Sequence, residues 1–129
     1  MASLFSKIVN GEVPCYKVAE NDSFLAFLDI MPVKEGHVLV VPKLEIDYIF
    51  DIEDDLIGEM MIFAKSVAKK IEKVFPCNRV GVTVIGLEVP HAHVHLIPID
   101  KLDDMNFSKP KLNLSDAQLT EIAQKLFVA

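Results

Sequence analysis

Apolar and polar positions change period several times along this chain, and each change marks an element. In LFSKIVNG, Leu4, Phe5, Ile8 and Val9 fall at helical spacing before an Asn-Gly pair, predicting a short helix and a turn. CYKVAEND and SFLAFLD predict two strands around an Asn-Asp turn, a hairpin. GHVLVVP predicts a β-branched strand closed by Pro42. From Asp51 the period lengthens. Ile52, Leu56, Met60, Ala64, Val67, Ile71 and Val74 recur every three or four residues, one face of a long helix. Asp51, Glu53, Asp54 and Asp55 crowd its start and Lys69, Lys70 and Lys73 its end, complementing the helix dipole, and Pro76 stops it. RVGVTVIG and VPHAHVHLIPI return to strand character, joined by a short connection near Gly86–Glu88. DKLDDMNFSKPKLN shows no period and is expected to be a surface loop. SDAQLTEIAQKL opens with Ser115 and Gln118 in capping-box spacing and predicts a final helix. Strands joined by short turns outnumber helices. The expected class is α+β: a mainly antiparallel sheet with one long helix and a C-terminal helix.

Composition narrows the function classes. No repeat or linker divides residues 1–129, so one domain is expected, long enough to bury a core without staples. The chain is 51% hydrophobic with a mean hydropathy of +0.33, which excludes disorder for most of it. No apolar run approaches a membrane span, and MASLFSKIVNGEVP lacks a basic region followed by an apolar stretch, so a cytoplasmic protein without membrane contact is expected. Cys15 and Cys77 are far apart and in no ligand spacing, and read as free thiols of a reducing compartment, with a disulfide as the second option. A formal charge of -6 argues against broad nucleic-acid binding, though a few local donors suffice for a small phosphate ligand.

The chemistry concentrates in VPHAHVHLIP. The chain has four histidines, and three of them, His91, His93 and His95, alternate in this one segment. On a strand, side chains at i, i+2 and i+4 share a face, with Ala92, Val94 and Leu96 turned the other way. Three explanations present themselves. A half-exposed strand with polar residues outward would account for a single histidine better than for three. A metal site would use the commonest metal ligand, but His91 and His95 stand roughly 13 Å apart along a straight strand, and only two of the three could reach one zinc ion easily. A row of imidazoles along an elongated substrate suits a phosphorus ester, which needs a nucleophile, donors to anionic oxygens and a proton for the leaving group. His37 heads the strand carrying Leu39 and Val41; beside such a row it becomes a candidate orienting partner.

HAHVHLI is similar at every position to the motif of the histidine triad (HIT) family: histidine, apolar, histidine, apolar, histidine, apolar, apolar. LFSKIVNGEVPCYKVAENDSFLAFLDIMPVKEGHVLVVPK resembles the N-terminal half of its Hint-type branch, so the resemblance covers nearly the whole chain. It implies a HIT-like α+β fold, a homodimer, a purine nucleotide ligand and hydrolysis of nucleoside phosphoramidates or related nucleotidyl substrates, with no cofactor. It implies His93 as the nucleophile that forms a nucleotidyl-histidine intermediate, His95 and His91 as groups that hold the phosphate and relay protons, and His37 as the orienting partner. Asp29 matches the acid that binds ribose hydroxyls, with Ile30 after it in the same pocket. Leu4, Phe5, Ile8 and Leu28 match the positions of the base pocket.

Two departures from the family pattern stand out. Many bacterial relatives carry Cys-x-x-Cys near the N-terminus and a further histidine after Pro-Lys as a structural zinc site. Here those places hold Ser3, Ser6 and, after Pro42-Lys43, Leu44 and Glu45, so a metal-free protein is expected. Before the triad the family often has Gly-Gln-Ser or Gly-Gln-Thr; VIGLEVPH keeps Gly86 but has Leu87 and Glu88 where the amide and hydroxyl would be. A nucleotide-binding or interaction protein of the same fold, with little or no turnover, is the alternative function.

Overall fold

A computed structural model describes residues 2–129. Its elements run α1 (Leu4–Val9), β1 (Lys17–Glu20), β2 (Phe24–Leu28), β3 (Val38–Pro42), α2 (Asp54–Val74), β4 (Arg79–Thr83), β5 (Val94–Ile99) and α3 (Asp116–Phe127). The five strands form one antiparallel sheet in the order β1-β2-β3-β5-β4, and α2 carries the chain from β3 to the far edge. The expected α+β class holds. Among the described residues no helix is long and apolar enough to cross a membrane.

Period-two alternation divides the sheet into two faces. Phe24, Ala26 and Leu28 of β2, Val38 and Val40 of β3, and Val94 and Leu96 of β5 pack under Met60, Ala64, Val67 and Ile71 of α2 and Leu119, Ile122 and Leu126 of α3. Leu25, Phe27, Leu39 and Val41 form a second, smaller cluster on the opposite face with Phe5 of α1, whose ring meets that of Phe27 edge-on at 5.5 Å. Strand β2 is therefore buried on both faces, which is why FLAFL reads as a continuous apolar run. Helix α1 is held at its start by Ser3, which accepts from the Ser6 N–H, and α3 by the reciprocal Ser115–Gln118 capping box that the spacing predicted.

The structure shifts several expected boundaries. The long helix starts at Asp54, not Asp51, because Ile49–Asp51 is a 3-10 turn and Glu53 is extended. Ile52 is still buried, before the helix rather than on it. Strand β4 ends at Thr83 because its pairing with β5 ends there, opposite His95. Strand β5 starts at Val94, since the Ala92 N–H is drawn away to the Ile46 carbonyl at 2.7 Å. The expected loop after β5 contains a 3-10 turn at Leu102–Met105.

Gly36 brings the chain into β3 immediately before His37. Its φ is +88°, and a Cβ there would stand 2.8 Å from the Phe75 ring. Gly36→Ala is expected to lower the unfolding free energy by about 1–3 kcal/mol. Gly58→Ala is the control, because Gly58 lies in α2 and a Cβ there meets nothing within 4 Å; it should stabilise by about 1 kcal/mol. Urea melts that move both variants in the same direction would refute the backbone argument.

Candidate active site

Pairing of β3 with β5 sets Leu39 opposite His95, which puts His95 on the face away from the two large helices. His37 has the parity of Leu39 and lies on that same face. The two imidazoles meet: His37 Nε2 and His95 Nδ1 are 2.9 Å apart. The ring of His93 stands edge-on to that of His95 at 5.0 Å, and Phe5 packs edge-on against His93 at 5.0 Å.

The hydrogen-bond partners determine where each proton sits. His37 Nδ1 accepts from the Val33 N–H at 3.2 Å, so its proton is on Nε2 and is donated to His95 Nδ1. The proton of neutral His95 is then on Nε2. His93 Nδ1 is 2.8 Å from the His91 carbonyl, which only accepts; Nδ1 therefore carries the proton and Nε2 a free lone pair. His91 donates from Nε2 to the Pro42 carbonyl at 2.7 Å and accepts at Nδ1 from Ser3 Oγ at 2.8 Å.

Burial keeps most of this row neutral. It pushes His37 down to about 3 and His95 to about 4, helped in both by the nearby positive charge of Lys111 and by the neighbouring imidazoles. His91 is also lowered by burial, against the opposing pull of the Pro42 carbonyl and Glu45. Asp29 is raised by burial, while the Met31 N–H and the charge of Lys111 favour its ionised form. Its Oδ2 lies 3.6 Å from His37 Nε2, but with His37 neutral the contact is not an ion pair at neutral pH.

A cavity of about 410 Å³ opens over these groups. Asp29, His37, Gly86, Leu87, Glu88, His93 and His95 line it, together with Met31, Ile85, Phe107 and Lys111. The sequence expectation missed the last four. Phe107 and Lys111 lie in the segment without periodicity, where the one signal was an aromatic residue in a polar stretch. Of the other expected residues, Phe5 supports His93 from below, Leu28 is buried among the α2-side core, Leu4 and Ile30 are exposed, and Ile8 packs on the Phe5 cluster. His91 does not line the cavity; its ring is enclosed, and its carbonyl is what reaches His93. A larger groove between β1 and α3, about 690 Å³, holds Cys15 and Lys17 but no histidine.

Two clusters bear on metals. Asp29, His37 and His95 place one ligand atom each within 4.8 Å of one another, but a proton shared between the two imidazoles occupies the line a metal would take. Around His91, the Ser3 N–H and the Ser6 hydroxyl donate to Glu45 Oε1 at 2.6 and 2.7 Å, and these contacts pull the Glu45 carboxyl down to about 2. Neutral hydroxyls are not the thiolate and imidazole ligands that a structural zinc needs. This donor set does not fit the ion; it forms a hydrogen-bonded clasp from α1 to the triad instead.

The model of the HIT domain family matches residues 10–102. The chain belongs to the HIT family. An uncharacterised HIT-like protein of Borreliella burgdorferi is 33% identical over 131 residues, covering 95% of this chain and 94% of that one. The HIT protein named adenosine 5'-monophosphoramidase HNT1 in Saccharomyces cerevisiae is 38% identical over 99 residues, 75% of this chain and 62% of its own. Among solved structures, the Hit-like protein from Bartonella henselae superposes with a TM-score of 0.84 at 27% identity, covering 98% of this chain and 95% of that one. The α+β architecture seen here is the HIT fold.

Two outcomes follow from the hydrogen-bond map. Ser3→Ala removes the nearer hydroxyl from the fully buried His91 Nδ1, leaving Ser6 Oγ at 3.4 Å, and also the cap on the Ser6 N–H; it should cost about 1–3 kcal/mol in urea melts, whereas Ser6→Ala, whose hydroxyl donates to the exposed Glu45, should cost less. Equal costs would place the clasp at Glu45 rather than at His91. Stability should also depend on acid: unfolded histidines take up protons near 6.5, while folded His37 and His95 wait until about 3 and about 4. The contribution is full above pH 6.5 and is lost as pH falls from there through about 4 for His95 and about 3 for His37. In His37→Gln that slope should be shallower, and an unchanged slope would mean His37 is not held neutral.

Proposed function

We propose that this HIT-family protein is a nucleotidyl hydrolase that cleaves nucleoside phosphoramidates or related nucleotidyl substrates, with purine nucleotides as the ligand class. The observation that carries the reading is the commitment of His93 Nδ1–H to the His91 carbonyl, which leaves Nε2 as an unprotonated nucleophile at the cavity. Nε2 attacks the α-phosphorus; the bond to the leaving group breaks with its electron pair going to the leaving nitrogen, which takes a proton from solvent and departs as a neutral amine. Positive charge arising on His93 is stabilised through Nδ1–H by the His91 carbonyl. His95, locked by His37, offers Nε2–H to a phosphoryl oxygen as charge builds there. Water then cleaves the phosphorus–nitrogen bond, releasing the nucleotide and restoring the lone pair. His91 is a positioning residue in this scheme, acting through its backbone carbonyl. Asp29, aimed into the same cavity, suits ribose hydroxyls.

The relative named adenosine 5'-monophosphoramidase supports this choice of substrate. The exposed apolar side chains Val82, Val84 and Ile85, on and just after edge strand β4, support the expected homodimer.

Incubation with an adenosine phosphoramidate should release AMP, and His93→Ala should abolish that release and any trapped nucleotidyl adduct while leaving the fold intact. Substantial turnover by folded His93→Ala would move the nucleophile elsewhere. Nucleotide binding without AMP release by the unmodified protein would favour the binding-protein alternative.

A further inference from the structure

The segment after β5 folds back over the histidines. Phe107 packs its ring edge-on against His95 at 5.0 Å and His37 at 6.0 Å. The Leu112 N–H donates to the Pro32 carbonyl at 2.8 Å, Asp104 lies 3.7 Å from Lys34 Nζ, and Asn106 folds the turn by accepting from the Ser108 N–H at 3.0 Å. The segment is thus tied to the turn preceding β3 at both ends, and this fixes where its lysines stand.

Those two lysines differ in partner. Lys109 pairs with the Asp103 carboxylate. Lys111 donates to the Phe107 carbonyl and sits 5.4 Å from the centroid of the Phe107 ring. Among the described residues no carboxylate lies within 4.0 Å of its ammonium, although it is half-buried and lines the cavity with His93, His95 and Asp29. An ammonium has three N–H bonds, and the Phe107 carbonyl takes one. With His37 and His95 neutral, Lys111 is the one permanent cation on the cavity wall among the described residues, facing a site that also carries the carboxylates of Asp29 and Glu88.

We propose that Lys111 is the phosphate anchor of this site. Its two remaining N–H bonds take non-bridging oxygens of the bound nucleotide's phosphate, while Phe107 and its carbonyl hold the ammonium in place. This assignment rests on the nucleotide reading above and adds a residue outside the triad, on a segment with no periodic signal. Charge-assisted N–H···O contacts to phosphate are the strong class of hydrogen bond, and a lysine serves them as a point charge.

The test compares ligands with and without the phosphate on Lys111→Met, Lys111→Arg and the unmodified protein, using calorimetry with AMP, adenosine and inorganic phosphate. In Lys111→Met the Kd for AMP should rise about tenfold while that for adenosine moves less than about twofold. Lys111→Arg, which keeps the charge, should hold AMP within about threefold. Parallel weakening of AMP and adenosine would reduce Lys111 to a structural role, and unchanged AMP binding in Lys111→Met would overturn the assignment. Inorganic phosphate separates this failure from that of the nucleotide reading. Phosphate binding that depends on Lys111 without AMP binding would sink the nucleotide reading alone, and binding of neither would sink both.

Discussion

Antiparallel pairing of β3 with β5 puts Leu39 opposite His95 and Val38 opposite Leu96, and the rest of the molecule depends on that register. A slip of one residue would turn His95 into the core under α2 and bring Leu96 out to the cavity. Val38, Val40, Val94 and Leu96 hold the register by packing beneath Met60, Val67 and Ile71. The apolar face thus fixes the position of the polar one. His37 enters the same arrangement because Gly36 turns the chain against Phe75 just before β3 begins.

Once the histidines share a face, their chemistry is settled by what each nitrogen meets. Two carbonyls and one amide N–H are enough: the His91 carbonyl accepts from His93 Nδ1–H, the Pro42 carbonyl accepts from His91 Nε2–H, and the Val33 N–H, by donating to His37 Nδ1, leaves the His37 proton on Nε2 facing His95. Backbone groups cannot titrate, so each imidazole keeps the same partner as pH changes. Burial supports the same state by keeping His37 and His95 uncharged. The triad is consequently asymmetric. His93 presents a lone pair, His95 presents a proton, and His91 contributes through its main chain.

The N-terminal helix is joined to the triad by hydrogen bonds alone. Ser3, Ser6 and Glu45 join α1 to His91 through contacts of 2.6–2.8 Å, and Phe5 packs on the rings of His91 and His93. A metal would bind through ligand charge; the clasp works through donors and acceptors that satisfy one another in a buried place. Its exposed end is Glu45, whose carboxyl stays ionised because two donors converge on one oxygen.

The order of helices and strands, the α+β class and the alternation of His91, His93 and His95 were all legible in the sequence, because periodicity and capping are local properties of the chain. So was the likeness of HAHVHLI and the N-terminal stretch to the HIT family. Boundaries that depend on a partner were not legible: β4 ends where β5 stops pairing, and β5 begins after Ala92 has given its N–H to Ile46. Nor could alternation reveal that His91 is enclosed by Ser3 and Pro42 while its two neighbours reach the cavity, since His91 and His93 precede β5 and strand parity does not set their surroundings. Phe107 and Lys111 lie on a segment with no period, brought to the histidines by contacts with Pro32 and Lys34. Sequence determined which side chains share a face; only tertiary contacts, which join residues far apart in the chain, decided where their protons sit and what covers them.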